Sequence, residues 1–84
     1  MADVIIYTTE YCPYCVRAKD ILDRKNIKYS EIRVDLNPEL REEMMVKSGR
    51  HTVPQLFING QSIGGCYELQ VLDSQGKLDQ LLRG

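Results

Sequence analysis

Residues Val4 to Arg24 read VIIYTTEYCPYCVRAKDILDR, and the periodicity changes partway through. Val4 to Tyr7 is an unbroken apolar, β-branched run, the pattern of a strand covered on both faces. From Pro13 the period becomes helical. Cys15, Ala18, Ile21 and Leu22 fall on one face, with Arg17, Lys19, Asp20, Asp23 and Arg24 on the other. Pro13 suits the first helical position, where its missing N–H would have no partner in any case. Cys12 and Cys15 therefore stand at the junction of a buried strand and an amphipathic helix, which fades near Lys25 and Asn26.

The segments that follow turn this β-α start into a fold. Ile27 to Asp35 alternates weakly, with Ser30, Ile32 and Val34 on one side and Tyr29, Glu31 and Arg33 on the other, and reads as a second strand. Asn37-Pro38 is a cap followed by a helix-starting proline. Leu40 and Met44 form an i, i+4 apolar pair, and Gly49 is the stop. In QLFINGQSIGG, Asn59-Gly60 lies between two apolar segments, and that dipeptide suits a two-residue hairpin turn. Gly64-Gly65 ends the hairpin. Leu69 and Leu72 mark a short helix stopped near Gly76, and Leu78, Leu81 and Leu82 a last one. The order is β-α-β-α-β-β-α-α. The first β-α-β implies parallel strands with a right-handed crossover, and the hairpin adds antiparallel ones. The expected architecture is α/β, a small four-stranded mixed sheet flanked by helices.

The chain has 84 residues, enough for one domain spanning 1–84 that buries about 60–65% of its unfolded surface. With 43% hydrophobic residues it can form a core without staples. A net charge of −1 with interleaved signs argues against a nucleic-acid surface, which would show a basic patch. No apolar run approaches the roughly 18 residues of a membrane span, and the N-terminal apolar run is short and has no basic residues ahead of it. Three cysteines are an odd number for a secreted disulfide framework. The expectation is a soluble, cytoplasmic monomer that engages neither nucleic acid nor membrane.

The pair Cys12 and Cys15 admits three readings. Zinc would need four ligands, and the remaining candidates, Cys66 and His51, lack paired spacing. A purely structural disulfide would close a tiny loop for little entropic gain. The redox reading fits the position. As N-cap, Cys12 faces the free N–H groups and the positive end of the helix dipole, which favour a thiolate. Cys15, about a turn along the same face, lies deeper. Cys12 then attacks and Cys15 resolves, with no metal required.

CPYC after a buried strand, TVP (Thr52 to Pro54) before a hairpin and GGC (Gly64 to Cys66) after it resemble the dithiol glutaredoxins of the thioredoxin superfamily, over essentially the whole chain. The resemblance implies a thioredoxin-like fold and glutathione-dependent reduction of protein disulfides and glutathione mixed disulfides, with ribonucleotide reductase among the protein partners such enzymes serve. It implies glutathione as reducing co-substrate and no permanently bound cofactor. It also implies a cis bond before Pro54 that presents the Val53 backbone to glutathione. The γ-glutamyl carboxylate would dock on the N–H groups of Cys66 and Tyr67, behind Gly64 and Gly65, with Glu68 facing the ligand ammonium. Arg41 is either the cation for the other carboxylate or a solvated helix charge. Tyr14 would flank the ligand, with Thr52 and His51 beside the loop and Pro13 shaping the turn. Thr9 stands where relatives often carry Lys. Cys66 reads either as a buried small hydrophobe or as a thiol that oxidises near the site. Two rival functions remain: an iron–sulfur-binding glutaredoxin, which usually has Gly-Phe-Ser after the first Cys, and a thioredoxin-like donor recharged by a flavoprotein. Pro13 and Cys15 argue against the first, Tyr14 and the GGC segment against the second.

Overall fold

The computed structural model describes residues 3–83; Met1, Ala2 and Gly84, the ends of the expected 1–84 domain, lie outside the described residues. Eight elements follow in the expected order: β1 (Val4–Thr8), α1 (Pro13–Arg24), β2 (Ser30–Arg33), α2 (Pro38–Ser48), β3 (Gln55–Ile58), β4 (Gln61–Gly64), α3 (Cys66–Ser74) and α4 (Lys77–Arg83). The strands form one four-stranded sheet in the order β2-β1-β3-β4. β1 runs parallel to β2 and antiparallel to β3, and β3 and β4 form the hairpin.

Because β1 has neighbours on both edges, its side chains must serve two cores. Val4 and Ile6 join Leu56 and Ile58 on one face, beneath Ala18, Ile21 and Leu22 of α1, Leu69 of α3 and Leu78 of α4. Tyr7, with Ile5 packed nearby, points the other way and joins Val34, Met44 and Phe57 under α2. Strand alternation alone produces this division. All four α1 positions assigned inward from their spacing, Cys15, Ala18, Ile21 and Leu22, are buried.

β2 is shorter than the expected strand from Ile27 to Asp35. The Ile27 N–H bonds back to Leu22 O at 2.9 Å, so the start of that stretch is taken up by the C-terminal turn of α1. The alternation still holds: Ile32 and Val34 face the α2 core, and Tyr29 packs toward α1. α2 begins as expected, with Asn37 Oδ1 accepting from the Glu39 N–H at 2.9 Å, and ends at Gly49 in the left-handed conformation. At the hairpin Asn59 and Gly60 both have positive φ, 52° and 81°, as the tight turn demands.

The end of the hairpin explains one glycine. Gly64 has φ +117°, and a Cβ there would lie 2.6 Å from the Glu68 carboxylate. Gly64→Ala should therefore cost about 1–3 kcal/mol through backbone strain and displacement of Glu68, lowering the melting temperature by at least about 4 °C. Asn37→Ala should cost about 1 kcal/mol through its lost cap, and Leu22→Ala, at a position 0% exposed, about 2–5 kcal/mol. Thermal unfolding followed by circular dichroism checks all three, with Leu22→Ala expected as the largest loss.

Candidate active site

β1 ends by delivering the chain to the N-terminus of α1. The Val34 N–H donates to Thr8 O at 2.9 Å, which ties the end of β1 to the segment after β2. Arg33 grips Asp35 through Nε at 2.8 Å and Nη2 at 2.6 Å, and Asp35 accepts from the Glu10 N–H at 3.3 Å. The Arg33 guanidinium holds the Asp35 carboxyl down to about 2. The intervening loop is thus anchored, and Tyr11 turns the chain with φ 57° while its side chain is 92% exposed.

Cys12 is the N-cap of α1, and its Sγ accepts the Cys15 N–H at 3.1 Å. This is the bond a capping oxygen would make, made here by sulfur. Cys12 is half-buried, whereas Cys15 is 1% exposed. Burial, with help from its hydrogen bond to Cys12, pushes the Cys15 thiol up to about 12, while the Thr9 backbone N–H and the Lys19 charge pull the other way. Two like side chains three residues apart are made chemically unlike by their depth and their partners. Pro13 occupies the first helical position. The Tyr14 ring is 59% exposed beside the site, with the Arg17 guanidinium 5.7 Å from its centroid.

The loop before β3 comes up against the sulfur. The Val53-Pro54 bond is cis, as the resemblance implied, and Cys12 Sγ makes a long contact of 3.9 Å to Val53 O. Gln55, 1% exposed, braces the loop from beneath. Its Nε2 donates to Thr52 O at 3.0 Å and to Thr52 Oγ1 at 3.2 Å. Arg41 reaches the same loop from α2, its Nη2 lying 3.4 Å from His51 O.

The N-terminus of α3 closes the third side. Gly65 is its N-cap and offers no side chain to the first-turn N–H groups. A Cβ on Gly65 would come within 3.1 Å of Pro54 O, so the glycine permits the α3 start and the loop to meet. Glu68 turns back onto this end, accepting the Gly65 N–H at 2.6 Å and lying 3.0 Å from Arg50 Nη1. The Gly65 N–H and then Arg50 hold its carboxyl below the ordinary range. Cys66 is 5% exposed within the core beneath α1, and burial raises its thiol. That is the first of the two readings of this residue. Tyr67 beside it is 72% exposed.

Cys12 thus meets Val53, Gly65 meets Pro54 of the same loop, and Arg41 reaches that loop at His51. Glu68 is drawn into capping its own helix and pairing with Arg50. Sequence reasoning passed over Arg50, Gln55, Asp35 and Tyr11. A Gln directly after Pro54 and an Arg three residues before Val53 carry no local signal of contact. Only the packed loop reveals them. Among the described residues no three His, Cys, Asp or Glu side chains gather as a metal-binding group, and no helix is long and apolar enough to cross a membrane.

Comparison with known proteins agrees with this geometry. The Glutaredoxin family model matches residues 4–63. Glutaredoxin 3 of Escherichia coli K12 is 54% identical over 83 residues, covering 99% of this chain and 100% of the relative. The solution structure of a glutaredoxin from Brucella melitensis superposes with a TM-score of 0.87 at 54% identity, covering 98% of this chain and 89% of that one. The crystal structure of a buckwheat glutaredoxin–glutathione complex does so with a TM-score of 0.90 at 29% identity, covering 98% and 77%. With the thiol pair at the α1 N-terminus, the cis-proline loop against it and these full-length matches, the chain belongs to the glutaredoxin family and is a glutathione-dependent thiol–disulfide oxidoreductase.

Proposed function

We propose that Cys12 is the nucleophile and Cys15 the resolving thiol of a dithiol cycle whose reducing co-substrate is glutathione. The observation that carries this reading is the N-cap bond, in which the Cys15 N–H reaches Cys12 Sγ at 3.1 Å while Cys15 itself is 1% exposed. Cys12 attacks a glutathionylated protein at the glutathione sulfur. The protein thiol leaves, and Cys12 carries the glutathione as a mixed disulfide. A second glutathione attacks the glutathione sulfur of that mixed disulfide and frees the Cys12 thiolate, giving oxidised glutathione. For a protein disulfide, Cys15 attacks Cys12 Sγ and expels the second protein thiol, and two glutathiones then reset the Cys12–Cys15 bond.

Glutathione would lie across the surface formed by Cys12, the Val53-Pro54 loop and the start of α3. Support for this comes from the uncapped N–H groups of Cys66 and Tyr67, which suit a carboxylate, and from the Val53 backbone, which can pair with an extended ligand. Gly64 and Gly65 shape the approach, Tyr14 and Thr52 flank it, and Arg41 offers a cation at the other end. The protein substrates are disulfide-bonded or glutathionylated proteins met in the cytoplasm, with ribonucleotide reductase a candidate, and the enzyme works as a monomer without a resident cofactor.

A glutathione-coupled assay on wild type and single Ser variants tests the cycle. Cys12→Ser should lose all activity. Cys15→Ser should keep deglutathionylation but lose efficient reduction of protein disulfides, and equal loss of both would refute the division of labour. Arg41→Ala should weaken glutathione binding by no more than about 1 kcal/mol, about fivefold, because the contact is exposed.

Alkylation of the native protein reads the thiols directly. Near neutral pH, iodoacetamide should label Cys12 while leaving Cys15 and Cys66 untouched. A thiol pushed up to about 12 is protonated there, and the thiolate is the reactive form. Cys15 labelling should rise only as the pH climbs toward that value. Mass spectrometry of the labelled peptides checks the order.

A further inference from the structure

The dithiol route leaves one requirement unexplained. Cys15 must react as a thiolate although burial pushes it up to about 12. The group best placed to help is Lys19. It stands four residues beyond Cys15 on α1, one turn on at the margin of the buried face, and helical side chains lean back over the turn that precedes them. Its ammonium is not left to the solvent. Nζ lies 2.9 Å from Glu31 Oε2 of β2, with the two side chains only 29% and 31% exposed. The same Glu31 oxygen accepts the Thr8 hydroxyl at 2.6 Å, and Thr8, at the end of β1, is 0% exposed. Three elements thus cooperate to hold one charge on the helical turn that follows a buried thiol.

The other groups around the pair are few. Cys12 on α1 and the Thr9 N–H after β1 act on Cys15, and Tyr29, whose own hydroxyl is acted on by Asp23, acts on Lys19. The coupling runs both ways: Lys19 draws the Cys15 thiol down, and Cys15 helps Lys19 keep its proton.

We propose that Lys19 is a positioning residue for the resolving step: pinned by Glu31 and Thr8 one turn from Cys15, its ammonium stabilises the Cys15 thiolate as it attacks the Cys12 mixed disulfide. In that step Cys15 gives its proton to solvent and its sulfur bonds to Cys12 Sγ. The bond between Cys12 Sγ and the substrate sulfur breaks, and the electron pair leaves with the substrate sulfur, which takes up a proton. The substrate is reduced to its thiol, and Cys12 and Cys15 become the disulfide. Cys12 carries no charge while it is held in the mixed disulfide, so its like-charge opposition to a Cys15 thiolate is gone. The Thr9 N–H and the Lys19 charge remain. The proposal rests on Cys15 being the resolving thiol.

The test is the titration of Cys15 in the Cys12→Ser protein, followed by the NMR signal of its labelled Cβ, with Lys19, with Lys19→Met and with Lys19→Arg. Lys19→Met keeps the apolar stem and removes the charge. It should raise the midpoint by about one pH unit, the low end of what a nearby opposite charge does, and Lys19→Arg should restore it. The same midpoint in all three proteins overturns the proposal. With Cys12 intact, Lys19→Met should reduce protein disulfides about tenfold more slowly near neutral pH, recovering as the pH rises, and the ratio of this activity to deglutathionylation should fall with it. An equal loss of both activities without recovery at high pH also overturns it, since that is the mark of a scaffold role. Should Lys19→Met fail to fold, Lys19→Gln removes the same charge. Cys15→Ser run alongside separates the two readings: if it still reduces protein disulfides, the resolving assignment fails, whatever the Lys19 titration gives.

Discussion

Strand β1 has hydrogen-bonded partners on both edges and packed side chains on both faces, and the other elements take their places from it. Its odd and even positions must feed different cores, so Ile6 meets the α1 and α3 side while Tyr7 meets α2. Its C-terminal end leads through a short anchored loop into α1. The Cys12 sulfur is therefore carried a short loop beyond the end of the most constrained strand in the molecule. A thiol on a free loop would have to be ordered at each encounter with substrate. Here the folding of the sheet has already ordered it.

The same constraint explains how a pair of identical side chains acquires two environments. The helix start exposes its first N–H groups to Cys12 and turns Cys15 inward against the core. No acid or base side chain is needed to set them apart. Depth and backbone donors suffice. What remains is a second thiol too well buried to ionise freely, with the Lys19–Glu31–Thr8 cluster one helical turn away. The other two sides of the site are backbone as well, the loop at Val53-Pro54 and the start of α3 at Gly65. They meet because Gly65 has no Cβ to hold them apart.

Much of this was legible in the chain because it is local. The N-cap at Cys12 with Pro13, the cap at Asn37 with Pro38, the stop at Gly49 and the turn at Asn59-Gly60 each depend on residues within a few positions. Each appears where the sequence puts it. The inward face of α1 follows from spacing alone. The length of β2 was overestimated because an alternating pattern does not say where pairing starts, and here the helix C-terminus claims Ile27 first.

The sequence by itself determined the order of elements, the position of the thiol pair at a helix start and, through CPYC, TVP and GGC together, the family. Only the tertiary structure decided which distant groups meet. Gln55 holds Thr52, Arg50 reaches Glu68, and Arg33 with Asp35 steadies the loop ahead of Cys12. Lys19 finds Glu31 only because β2 lies beside β1 in a register that sets Glu31 opposite Ile6. Such contacts leave no periodic trace. They arise from sheet register and loop packing, and one chain's spacing encodes neither.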